Sequence, residues 1–162
     1  MITIKVNIDS ALSGLDRMAR GVQDTSPLMA DLADALASES ERQFAAQSGP
    51  LGQWAILRPV TQRMRERRGT WPGKMLQVTS GGLAASVQTK SDRATATIGS
   101  NKVYAAIHQF GGVTSPKSMI PGKTIPARPY LPFNPRTHQL TREAEQEVQE
   151  RIAEWAADLG FK

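Results

Sequence analysis

Four arginines, Arg63, Arg65, Arg67 and Arg68, crowd together between Trp54 and Trp71, with Arg58 and Lys74 extending the basic stretch to residues 58–74. Guanidiniums at that density beside indoles can hold a phosphate backbone by charge and stack on unpaired bases. The chain has 162 residues, a formal net charge of +5 and a pI near 9.9, a balance that favours salt-sensitive attraction to nucleic acid or acidic protein surfaces. No helix-turn-helix, zinc-finger or RNA-binding signature accompanies these arginines, so the nucleic-acid chemistry they suggest is non-specific. A solvated basic loop is the plainer reading of the same residues.

Other residue types offer less. His108 and His138 are far apart and fall in neither an H-x-x-x-H nor an H-E-x-x-H pattern, and His108 beside Phe110 reads as a packed or capping histidine. The absence of cysteine excludes disulfides, thiolate nucleophiles and Cys-based metal sites, and fits an intracellular origin. Gly81-Gly82 and Gly111-Gly112 suit turns, since no G-x-x-x-x-G-K-[ST] loop surrounds them. Ser80 lacks a G-x-S-x-G elbow. Asp31, Asp34 and Glu41 lie where a helix would carry solvated charge. The expectation is a chain that is not an enzyme and uses no cofactor or metal.

The elements that must carry these residues alternate in type. Ile2, Ile4 and Val6 show a period-two strand pattern. Asp9 or Ser10 can cap a helix through Leu12, Leu15, Met18 and Val22, short or broken near Gly21. Ser26-Pro27 starts a long amphipathic helix through Leu28, Leu32, Leu36, Ser40 and Phe44, ending before Ser48-Gly49-Pro50. Residues 49–78 read as an irregular basic region, with a short helix from Pro59 to Arg67 closed by Gly69. Gly82–Thr89 leads into a strand, Ser91-Asp92 makes a turn and Arg93–Gly99 forms a second strand, together an antiparallel hairpin. Val103–Phe110 forms one or two helical turns, residues 111–124 a flexible loop, and Pro126, Pro129, Pro132 and Pro135 an extended segment. A final helix begins near Thr141, with Ala144, Val148, Ile152, Trp155 and Leu159 on one face and Gly160 at its end. No run of about 18 apolar residues would span a membrane, and the N-terminus lacks the layout of a signal peptide. The predicted class is α+β: one domain over 1–162, an antiparallel β-sheet packed by long amphipathic helices on one face.

Two segments then stand out: Tyr104-Ala105 with His108-Gln109-Phe110-Gly111, and Ile125-Pro126-Ala127-Arg128-Pro129-Tyr130-Leu131. With Trp54-x-x-Leu57-x-Pro59-x-Thr61 and Ser80-Gly81-x-Leu83-x-x-Ser86 before them, this order resembles the phage virion morphogenesis (tail completion) family of Mu-like and related tailed phages. Ser80 stands where that family more often has Thr, and Tyr130 where Phe is commoner. The resemblance implies a structural protein of head–tail joining or tail completion, a homo-oligomeric ring, hexameric by expectation, at the neck or upper tail around the DNA channel. It would be assembled in the bacterial host cytoplasm, meet other neck and tail proteins, and have no membrane partner. Tyr104, His108, Gln109, Phe110, Gly111, Pro126, Ala127, Arg128, Pro129 and Tyr130 become assembly-interface or motif residues. Arg63, Arg65, Arg67, Arg68, Lys117 and Lys123 become the basic residues for packaged DNA. Tyr104 and Phe110 alternatively pack in the core, and Arg128 alternatively makes an internal salt bridge or clamps carbonyls so as to fix its own loop. Non-specific nucleic-acid binding through residues 58–74 is the competing function.

Overall fold

The computed structural model describes residues 9–161, with side chains from residue 12 onward. The strand read over Ile2–Val6 and the capping roles of Asp9 and Ser10 lie outside these described residues. Helix α1, Asp9–Gln23, runs without a break past Gly21. A Cβ on Gly21 would lie 2.4 Å from the Leu159 methyls, so the glycine lets another helix end come close, and that packing offsets a propensity penalty of about 1 kcal/mol.

Helix α2, Ser26–Ala46, begins one residue earlier than its Ser-Pro signal implies. Thr25 occupies the cap position without a side-chain bond to the helix amides, Pro27 sits in the first turn, and the Ser26 amide donates to Asp24 Oδ1 at 3.1 Å. Leu28, Leu32, Ser40 and Phe44 are buried as the spacing predicts, while Leu36 is half-buried, and Ala33, Ala35, Glu39 and Gln43 are buried with them. Helix α5, Arg142–Leu159, opens with Thr141 Oγ1 accepting from the Ala144 amide at 3.2 Å and closes on Gly160 at φ 96°. It packs along α2. Arg151 on α5 donates to Asp31 Oδ1 at 2.8 Å and to Glu147 Oε1 at 3.0 Å, so Asp31 belongs to the interhelical contact and not to a free acidic face.

Short elements fill the middle of the chain: β1 (Ser48–Gly49), β2 (Gly52–Gln53), α3 (Pro59–Arg67), a 3-10 turn (Ala84–Ser86), β3 (Val87–Ser91), β4 (Ala96–Ser100), α4 (Ala105–Phe110), β5 (Gly112–Val113) and β6 (Thr124–Ile125). The fold is α+β with antiparallel pairing throughout the described residues, but the pairing is divided into three two-stranded ladders, β1–β2, β3–β4 and β5–β6. The prolines after β6 explain why no broader sheet forms there, because a run with so few amide donors cannot continue a ladder. The β3–β4 hairpin lies on α2, and the Thr25 hydroxyl donates to the Arg93 carbonyl at its turn.

The core gathers Phe44, Trp54, Met75, Leu83, Ala105 and Tyr130. Phe44 meets the edge of Trp54 at 5.7 Å and the tilted ring of Tyr130 at 5.3 Å, geometries that favour aromatic pairs. Trp54 and Met75 thus anchor the otherwise irregular 49–78 region to the end of α2.

Candidate assembly surface

The two distinctive segments are joined to each other. The buried Gln109 on α4 accepts two backbone amides with one oxygen, from Tyr130 and Leu131 at 3.0 Å each, and its nitrogen donates to Phe133 O at 3.4 Å. The Arg128 amide donates to His108 O at 2.7 Å. Gly111, at φ 72°, allows this approach, since a Cβ there would fall 2.9 Å from the Ala127 nitrogen.

The proline-flanked segment is also tied to the rest of the chain. The Trp54 indole donates to Pro129 O at 2.9 Å, and the Ser40 hydroxyl donates to Tyr130 O at 2.6 Å. Arg128 Nε donates to Ala55 O at 2.9 Å and its Nη2 to Ile56 O at 3.4 Å. The side chain is therefore a carbonyl clamp within its own chain, only 5% exposed. A planar guanidinium suits this role because its donors point in a fixed fork.

Burial sets the electrostatics. It pushes the Tyr130 phenol up to about 12 and lowers the Arg128 guanidinium. Burial, and secondarily the charge of Arg128, holds His108 below its ordinary 6.5. His108 Nδ1 is buried with no hydrogen-bond partner, which also suits a neutral ring.

Tyr104 and Phe110 differ from the core-packing reading. They are 41% and 52% exposed, because the short helix α4 turns Ala105 and Gln109 inward and leaves its flanks outside. Tyr104 stacks edge-on to His108 at 6.0 Å and Phe110 approaches Phe133 at 6.1 Å. Pro126 is exposed and Ala127 half-buried, whereas Pro129 is buried.

The arginine cluster divides by side. Arg63, Arg67 and Arg68 are exposed. Arg65 turns inward: its Nη2 donates to Thr70 O at 2.9 Å and Lys74 O at 3.1 Å, and the guanidinium lies 5.4 Å from the Trp71 ring centre. Trp71 is thereby held beneath an arginine, and Trp54 is in the core.

Residues 111–124 close as the narrow β5–β6 hairpin. Thr114 organises it: its amide donates to Lys123 O at 2.9 Å, its Oγ1 accepts from the Lys123 amide at 2.8 Å, and its hydroxyl donates to the Ile120 carbonyl. Lys117 and Lys123 are exposed on this tip, beside a fully exposed Met119.

With this geometry in view, comparison with known proteins is informative. Residues 6–156 match the model of the phage virion morphogenesis family. The chain belongs to that family. This virion morphogenesis protein is 31% identical over 137 residues to the "Mu-like prophage FluMu G protein 2" of Haemophilus influenzae, covering 84% of this chain and 87% of the relative. It is 31% identical over 153 residues to the "Putative capsid assembly protein G" of Escherichia phage Mu, covering 93% and 91% respectively. No solved structure matches it. A structural role in a phage particle or its assembly follows from the family.

Two hollows stand out among the described residues. One of about 260 Å³ lies between Leu57, Thr61, Leu83, Tyr104 and His108. The other, about 460 Å³ and more polar, lies among Glu39, Gln43, Asn134, Thr141 and Glu143. Among the described residues no group of three His, Cys, Asp or Glu could hold a metal ion. No helix among them is long and apolar enough to cross a membrane.

Sequence reasoning did not single out Glu39 and Gln43. Their i, i+4 bond at 3.3 Å, with Arg42 2.5 Å from Glu39, makes a polar seam inside α2. Their place on the Leu32–Phe44 side of the helix was the available signal.

Proposed function

We propose that this protein is a head–tail joining or tail-completion subunit that acts as a ring of six copies at the neck or upper tail, around the DNA channel. The observation that carries this reading, given the family, is a set of large apolar side chains that the described residues leave exposed. Leu12, Leu15, Ile56, Val60, Met64, Val103 and Met119 are all exposed. Apolar side chains left open on several elements of one subunit suit contacts with neighbouring copies. The β5–β6 tip, with Lys117 and Lys123, is the part assigned to the channel and packaged DNA. The Mu relative's name concerns capsid assembly, which supports work at the head side of a particle.

A second reading, non-specific nucleic-acid binding through residues 58–74, draws on the exposed Arg63, Arg67 and Arg68. It has less support as a stacking platform, since Trp54 is buried and Trp71 lies under Arg65.

The test is electron microscopy of particles from the parent phage or prophage with this gene deleted. Filled heads apart from tails, or tails of abnormal length, are expected. Normal infectious particles would refute the structural role.

A further inference from the structure

Opposite charges are segregated onto two helices that do not neutralise each other. On α3, Val60, Arg63, Met64 and Arg67 follow i, i+3, i+4, i+7 spacing and share one exposed face. Val60 and Met64 form its apolar centre, 58% and 51% exposed, and the two arginines flank them. On α5, Glu143, Glu150 and Glu154 follow i, i+7, i+11 spacing along one exposed stripe, with Ala153 and Ala157 beside it. Small residues next to carboxylates leave room for an apolar side chain to approach.

Neither stripe finds a partner of opposite charge at contact distance among the described residues. Among the described residues no ion pair within 4.0 Å involves Arg63, Arg67, Glu143, Glu150 or Glu154. Glu150 takes only the Gln146 amide, at 2.8 Å. Arg151, the cation nearest in sequence to Glu150, is bonded to Asp31 and Glu147 and reaches Glu154 only through the field of its charge. No hydrogen bond or ion pair joins α3 to α5 within the described chain.

We infer that the exposed face of α3 in one copy docks on the acidic stripe of α5 in the next copy, Val60 and Met64 against Ala153 and Ala157, Arg63 and Arg67 against Glu150 and Glu154. The contact joins two different surfaces of the same chain, and a repeated contact of that kind closes into a ring when the rotation permits. An apolar centre with a charged rim is the usual anatomy of a protein interface, and complementary charge fixes its register. The inference rests on the ring reading and names the surfaces that build it. It also gives the α3 arginines a protein partner in place of DNA.

The test is charge reversal in the full chain, read by native mass and sedimentation at low salt. Arg63→Glu with Arg67→Glu should weaken self-association on the order of tenfold or more, and Glu150→Arg with Glu154→Arg should do the same. All four changes in one chain should restore the multimer, a rescue that misfolding cannot imitate. A wild-type multimer unaffected by either reversal would overturn this contact and leave the ring reading intact. Failure of the fourfold variant to recover would also overturn it. So would an α3 reversal that abolishes retention on a 30-nucleotide single-stranded DNA probe while the multimer persists. A wild type that stays monomeric at low salt would overturn the contact, and the gene-deletion particles would then decide the ring reading separately.

Discussion

The segment around Gln109 and Arg128 and the segment around α3 are both rich in polar side chains, and they use them in opposite ways. In the first, Gln109 and Arg128 point inward, Gln109 holding three backbone groups and Arg128 two, all distant along the chain. In the second, Arg63, Arg67 and Arg68 point outward, while Arg65 turns in to the Thr70 and Lys74 carbonyls. The difference teaches that the most distinctive residues of this family member brace a fold, while its outer surface is built from ordinary exposed residues. Motif rarity reports here on how hard the extended proline segment is to satisfy. A run that lacks amide donors and joins no broader sheet needs side chains to bond its carbonyls and remaining amides.

The comparison breaks most visibly if the inner segment tolerates change. Trp54→Ala should lose about 3–5 kcal/mol of unfolding free energy in urea, because it removes a core indole as well as the bond to Pro129 O. Gln109→Met keeps the volume but strands the Tyr130 and Leu131 amides, at about 1–3 kcal/mol for each orphaned group. Arg128→Lys should cost about 1–2 kcal/mol, since one ammonium cannot reproduce the fork to Ala55 and Ile56. Urea midpoints unchanged in all three would show that the segment is not braced as described.

The outer segment should behave in reverse. Alanine at Arg63, Arg67 and Arg68 together should move stability by no more than about 0.5 kcal/mol per site, as exposed substitutions do. A large loss of stability would show that these side chains, too, serve the fold.

The smallest effect concerns pH. His108 sits below its ordinary 6.5 because of burial first and Arg128 second. Its neutral form is favoured in the folded chain, so its contribution is complete above 6.5 and is lost as pH falls through the lowered folded value. Replacing His108 by Gln should flatten that part of the stability profile, as measured by urea midpoints from neutral to mildly acidic pH. An unchanged slope would assign the acid sensitivity to other groups.

Much of the fold was legible because local signals agreed with it. Thr141 and Gly160 bound α5, Pro59 and Gly69 bound α3, and Ser91-Asp92 turns the β3–β4 hairpin. What the sequence concealed depended on contacts distant along the chain. Nothing near Arg65 says that Thr70 and Lys74 carbonyls will receive it, and nothing near Arg128 chooses between a neighbour and Ala55. Tyr104 and Phe110 looked like core because they are aromatic, yet a helix of only six residues has one inner face, and Ala105 and Gln109 take it. The acidic stripe on α5 was visible as glutamates, but that none of Glu143, Glu150 and Glu154 forms an ion pair within 4.0 Å among the described residues required the packed structure.

The most direct measurement of the account is immunogold electron microscopy of intact wild-type particles with antibody to this chain. The account predicts gold confined to the junction of head and tail or the upper end of the tail. Gold spread over the capsid shell, or no chain in purified particles, would contradict it.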